Sequence, residues 1–180
     1  MRWAAALLML AASVLPAAGA EPEPAGYRGE PYRAPVPETL AGAVVVDDDA
    51  ALTLWRSGAV PFVDVLPRVA RPPDLPPDTI WIDHPRASIP GSVWLPDTGY
   101  QALDPARLAY FLDALDALTS GDRSRPLLFF CKTDCWMSWN AAKRALENGF
   151  SRVFWYPGGT DGWEAAGGAL EPIEPQPVSR

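Results

Sequence analysis

Apolar residues recur along this chain in two alternating patterns. Short β-branched or aromatic runs fall at Ala43–Val46, Val60–Val65, Leu127–Phe130 and Arg152–Tyr156, each of strand length. Between them lie segments with helical spacing. Asp47–Asp49 can cap a short helix carrying Leu52, Leu54 and Trp55, which Gly58 closes. Asp104–Pro105 supplies an N-cap and a first-turn proline, followed by Leu108, Phe111, Leu112, Leu115 and Leu118. A third helix is expected from about Met137, carrying Ala141, Ala142, Ala145 and Leu146 and stopping at Gly149. Strands that alternate with helices predict an α/β domain with a mostly parallel central sheet flanked by helices.

The ends and one middle stretch break this pattern. Arg2, the apolar run Ala4–Leu15 and the small residues Ala18-Gly-Ala20 have the layout of a signal peptide cleaved after Ala20. Residues 21–39 are proline-rich and predict an extended arm, with Tyr27 and Tyr32 able to pin it to the domain. Residues 67–105 hold nine of the chain's 21 prolines, so a stiff irregular segment is expected, with strand-like pieces at Thr79–Ile82 and Ser92–Leu95. Pro157–Trp163 reads as a turn-rich closure built on Gly158, Gly159 and Gly162, and residues 171–180 as a loose tail. The folded unit is therefore expected over residues 40–170.

Charge narrows the partners. Without Arg2 the chain carries 14 basic and 22 acidic side chains, a net charge of −8. A surface of that sign repels nucleic acid and anionic lipid, so neither is an expected partner, and no membrane contact is expected once the signal is removed.

The chemistry concentrates in one stretch, Leu127-Leu-Phe-Phe-Cys-Lys-Thr-Asp-Cys-Trp136, which holds both cysteines of the chain. Cys131 leaves a strand and stands just before a helix, where unpaired N–H groups and the helix dipole favour a thiolate. Cys131 and Cys135 can also form a disulfide, but so small a ring adds little constraint to the unfolded chain, which favours a chemical role over a staple. Cys135 reads equally as a resolving thiol or as a buried thiol beneath Trp136. Lys132 is the loop's cation; Asp134 is placed to bond N–H groups near the helix start; Asp64, near a strand end, reads as a loop-holding carboxylate. Trp136 and Trp139 read first as packing residues. Two thiols are too few ligands for zinc, and His84, the sole histidine, lies in the separate proline-rich segment. No metal site and no cofactor are expected, although transient Cu(I) or haem handling stays open.

The order of these features resembles a rhodanese-like domain. The resemblance runs over about residues 40–168 and rests on Asp64-Val65-Leu66, Ser88-Ile89-Pro90-Gly91-Ser92, Cys131, Gly158-Gly159 and Gly162-Trp163. It implies a single rhodanese-like fold and sulfur transfer through a persulfide on Cys131, with Lys132, Thr133, Asp134 and Trp136 forming the substrate loop. The Cys135-Trp136 dipeptide, the Tyr32-Arg-Ala-Pro35 arm and Trp94-Leu95-Pro96 resemble, more narrowly, a group of exported proteins named for a paired-cysteine-plus-Trp motif and associated with pyrroloquinoline-quinone-dependent catabolism. That implies a periplasmic location. The partners it implies are a small sulfur donor or acceptor, a periplasmic redox protein, a quinoprotein dehydrogenase or a cytochrome c. The loop departs from the family pattern, since Trp136 stands where an arginine is common, and Leu66 and Ser88 replace the upstream Arg and His. Three readings stay open: sulfurtransferase, dithiol redox protein, and non-catalytic partner of a quinoprotein or cytochrome.

Overall fold

The computed structural model describes residues 21–69, 71–82 and 85–177. The signal-peptide expectation, His84 and the last three residues of the tail lie outside them. Seven strands and four helices follow in the order β1 (Val44–Val45), α1 (Asp48–Ser57), β2 (Phe62–Asp64), β3 (Arg86–Ser88), β4 (Val93–Trp94), α2 (Pro105–Thr119), β5 (Leu127–Phe130), α3 (Trp136–Glu147), β6 (Val153–Tyr156), α4 (Gly159–Ala165) and β7 (Glu171–Ile173). The main sheet has the order β1-β6-β5-β2-β4 with every neighbour parallel.

The helix boundaries follow from the local chemistry. The Asp47 carboxylate accepts from the Ala50 N–H, and Gly58 ends α1 in the left-handed region at φ 63°. The Asp104 carboxylate accepts from Arg107, with Pro105 in the first turn of α2. Helix α3 starts one residue earlier than expected, at Trp136, and Gly149 lies just beyond it at φ 88°.

Strand β5 is central, and all four of its residues are buried, as a parallel sheet covered on both faces requires. Its side chains alternate between two cores. Leu127 and Phe129 pack on one face with Phe111 and Leu115 of α2 and Trp139, Ala142 and Ala145 of α3. Leu128 and Phe130 pack on the other with Ala51 of α1 and Trp163 of α4. Carried one step further, the alternation puts Cys131 in the first core.

Three expectations are corrected. Thr79–Ile82 forms no strand: Ile80 and Ile82 are 85% and 77% exposed, so sheet formation would bury neither side chain, and the surrounding prolines offer no N–H for a ladder. The strand in this region is instead Arg86–Ser88. The expected loose tail is held as far as it is described. Glu171–Ile173 pairs antiparallel with β3, and the Gln176 N–H bonds the Trp94 carbonyl at 2.8 Å, covering the β4 edge. The turn-rich closure contains a helix, α4, whose glycines permit close approach to other elements.

The arm at residues 21–39 is extended and tightly attached. Tyr27 bonds the Glu147 carboxylate, and Tyr32 stacks edge-on against Tyr100 at 5.4 Å. The Asn140 amide exchanges two 2.9 Å bonds with the Arg28 backbone. Buried Arg144 sits over the Tyr27 ring and donates to the carbonyls of Thr98 and Tyr100, both at 2.8 Å. Among the described residues no helix is long and apolar enough to cross a membrane.

Candidate active site

The site is the turn between β5 and α3. Cys131 leaves the C-terminal end of the central strand and Cys135 is the N-cap residue of α3; the two are joined as a disulfide across a Cα separation of 6.4 Å. Both are almost fully buried, Cys131 at 0% and Cys135 at 3% exposure. No side chain caps α3. The arm does so instead: the Tyr32 carbonyl accepts the Trp136 N–H at 2.9 Å, and the Ala34 N–H donates to the Asp134 carbonyl at 3.1 Å. These two bonds make an antiparallel bridge between Arg33 and Cys135. One of the orphan donors that the sequence assigns to a thiolate is thus already used by the arm.

Asp134 lies at φ 53°, in the left-handed region that Asp tolerates better than most residues. It acts through its backbone carbonyl. Its side chain does not cap the helix, which corrects the sequence expectation. Trp136 and Trp139 are buried packing residues, as their first reading had it. Their indole N–H groups donate to the arm carbonyls of Pro35 at 3.0 Å and Thr39 at 3.2 Å.

The other wall of the loop is α4. The Cys131 carbonyl accepts from the Thr160 N–H at 3.1 Å and its hydroxyl at 3.3 Å. Thr133 donates from its backbone to Asp161 at 3.2 Å and from its hydroxyl to the Gly158 carbonyl at 2.8 Å. Lys132 faces Asp161 at 4.0 Å, so the loop's cation is partly neutralised by an acid the sequence reading left out. Gly159 permits this approach: at φ 55°, a Cβ there would stand 2.7 Å from Lys132 Cα and 2.8 Å from the Cys131 carbonyl carbon. Gly159→Ala is accordingly expected to lower the thermal midpoint by several degrees. Gly167→Ala, at φ 85° with nothing within 4 Å, carries the backbone strain alone and should cost clearly less. Equal midpoints for the two variants would contradict a tight seat for the loop on α4.

Asp64 does not touch the two thiols. It is fully buried at the end of β2 and accepts from Arg86 Nε at 2.8 Å, the Ser88 hydroxyl at 2.5 Å and the Leu66 N–H at 2.9 Å. Arg86 then reaches the Cys131 carbonyl from its other end at 3.4 Å. Asp64, expected as a loop-holding carboxylate, thus contacts the loop only through Arg86, a residue that the sequence pattern does not single out. The only signal for it was a charged residue two positions before Ser88 in a strand-length piece. Burial pushes the Asp64 carboxyl above its ordinary range, while Arg86, Ser88 and the Leu66 N–H pull it back. Among the described residues no cluster of three or more His, Cys, Asp or Glu could hold a metal ion.

A parallel five-stranded sheet whose central strand ends in a cysteine-bearing turn, locked from below by a buried Asp–Arg pair and from the side by a Gly-Gly helix, defines a rhodanese-like domain. A family model described as "Rhodanese-like domain" matches residues 48–166, and the chain belongs to that family. Among solved structures it is similar to the rhodanese-like domain of an Anabaena sp. protein, with 20% identity, TM-score 0.45, and coverage of 75% of this chain and 91% of that one. It is also similar to the polysulfide-sulfur transferase of Wolinella succinogenes, with 22% identity, TM-score 0.45 and coverage of 73% and 80%. For a thiosulfate sulfurtransferase of Pseudomonas aeruginosa the identity is 18%, the TM-score 0.46 and the coverage 74% and 21%. No curated protein matches the chain.

Proposed function

We propose that this rhodanese-like protein is an exported sulfurtransferase in which Cys131 accepts sulfane sulfur and Cys135 discharges it. The observation that carries this reading is the bond between the two sulfurs: a thiol that can reach Cys131 without moving the fold can also attack a persulfide formed there. In the first step the Cys131 thiolate attacks the outer sulfur of the donor. A new S–S bond forms, and the donor's remainder leaves with the electron pair. In the second step the Cys135 thiolate attacks Cys131 Sγ. The disulfide closes, the persulfide bond breaks, and sulfide departs and takes up a proton. The products are one disulfide and one sulfide, so each cycle needs two electrons from an external thiol or dithiol reductant.

Lys132 and Thr133 hold the loop against α4. Asp64 and Arg86 fix the carbonyl of the nucleophilic residue. The signal-like N-terminus supports a periplasmic location, where the reductant would be a redox protein. The resemblance to the exported paired-cysteine group supports a place in pyrroloquinoline-quinone-dependent alcohol catabolism, with a quinoprotein dehydrogenase or a cytochrome c as partner. The same disulfide favours a second reading, dithiol–disulfide exchange with no sulfur atom carried. Intact mass separates the two and also reports export. Reduced protein given one equivalent of a sulfane donor should release sulfide and close the disulfide, on a chain that begins at Glu21. A chain still carrying Met1 would refute export, and thiols left free would refute sulfur transfer.

A further inference from the structure

The cysteine pair is sealed, although any thiol chemistry needs an approach to its sulfurs. Three of the walls around it are regular elements: β5, α3, and α4, which bonds the Cys131 carbonyl through Thr160. Each is packed into one or both cores. The fourth wall is the N-terminal arm. Tyr32, Ala34 and Val36 pack against the cluster that contains both cysteines, and the Arg33–Cys135 bridge lays the arm's backbone along the turn.

The arm is the wall best able to move. Its five prolines deny it a ladder, and over residues 21–39 it forms no strand and no helix. Apart from the bridge at Cys135, α3 holds it by single hydrogen bonds from Trp136 to Pro35, Trp139 to Thr39 and Asn140 to Arg28. A segment with so little paired backbone opens locally, at far less cost than the whole domain.

The arm and the disulfide also share a residue. Asp134 lies inside the ring that the disulfide closes, at φ 53°, and its carbonyl accepts the Ala34 N–H. A non-glycine residue stays in that region only while its surroundings hold it there. Cutting the ring frees Asp134 to relax, which turns its carbonyl away from Ala34. The coupling is reciprocal, so loosening the arm eases reduction of the disulfide.

We propose that the arm is a redox-coupled strap over the cysteine pair. Seated, it seals the disulfide; with the disulfide cut it loosens, and it lifts before a dithiol reductant or a donor reaches sulfur. In the reduction a thiolate of the dithiol attacks one sulfur, and the Cys131–Cys135 bond breaks. The reductant's second thiol then closes its own disulfide, so two electrons and two protons pass to the pair. The strap serves sulfur transfer and dithiol exchange alike, and failure of either leaves its test intact.

Hydrogen exchange at the Arg28 and Ala34 amides of the full chain reads the strap directly. Both should exchange at least about tenfold faster after reduction, while the Leu128 and Phe129 amides of β5 keep their protection. Two variants test the reverse coupling. Ala34→Pro removes the donor to Asp134, and Tyr27→Phe removes the bond to Glu147 at the far end of the arm. Each should speed reduction by dithiothreitol about fivefold, the weight of one hydrogen bond in the opening equilibrium. Arm amides equally protected in both redox states overturn the proposal, as does an unchanged reduction rate in either variant. So does a loss of β5 protection alongside the arm's, which marks opening of the whole domain.

Discussion

Cys131→Ser is expected to abolish sulfur uptake, with cyanide-dependent sulfur release falling by more than about a thousandfold, because a neutral serine hydroxyl is a far weaker nucleophile towards sulfur than a thiolate. Cys135→Ser should behave quite differently. The nucleophile remains, so a persulfide forms on Cys131 and persists, cyanide still removes a substantial part of it, and spontaneous sulfide release stops. A dithiol redox cycle makes the opposite demand, since the mixed disulfide formed on one cysteine is resolved only by the other. In that case either substitution halts turnover and traps the partner. Equal loss in the two variants would move the assignment to redox exchange. Inactivity of the wild type with every donor and dithiol would move it to a non-catalytic binding role.

The second large effect belongs to Arg86. Arg86→Met leaves the Asp64 carboxylate buried with only Ser88 and the Leu66 N–H for company, and breaking a buried pair in this way costs about 3–5 kcal/mol. For a domain of this size that is on the order of 10 °C in thermal midpoint. The pH dependence has a definite sign. Burial already raises the Asp64 carboxyl, so the folded state holds its proton to higher pH than the unfolded chain does. The resulting stabilisation is fully present below the ordinary carboxyl pKa of about 3.9 and is lost as pH rises through the raised value. Removing the guanidinium raises that value further. The deficit of Arg86→Met should therefore shrink on acidification towards pH 4 and widen towards neutrality, read as denaturation midpoints across that range. A deficit that grew on acidification would contradict the pairing. Since Arg86 also holds the Cys131 carbonyl, the variant should lose sulfur-transfer rate at temperatures where it is still folded.

These two sites differ in how far they could be read from the chain alone. Cys131, the helix caps at Asp47 and Asp104, and strand β5 are local signals. Each depends on a few consecutive residues, and the structure places each where its residues predict. Arg86, Arg33 and the tail are not local. Arg86 matters because β2 and β3 bring it to Asp64, and Arg33 because the arm folds back about a hundred residues to pair with Cys135. Helix α4 was hidden for a related reason. Gly158, Gly159 and Gly162 argue for turns on propensity, yet a side chain at any of them would collide with Cys131, Lys132, Asp48 or Tyr156. Tertiary contact overrides the glycine penalty there. The exposed Ile80 and Ile82 show the converse: β-branched residues without a neighbouring strand form none.

If Cys131 and Cys135 handle one sulfur atom in sequence, the intact mass of the reduced wild-type protein after one equivalent of a sulfane donor shows it most directly. A mass about 2 Da below the reduced chain is expected, with one sulfide released per molecule. Cys135→Ser treated in the same way should gain about 32 Da. A wild-type chain that stays at its reduced mass and releases no sulfide would contradict it, as would a stable persulfide that the intact Cys135 leaves in place.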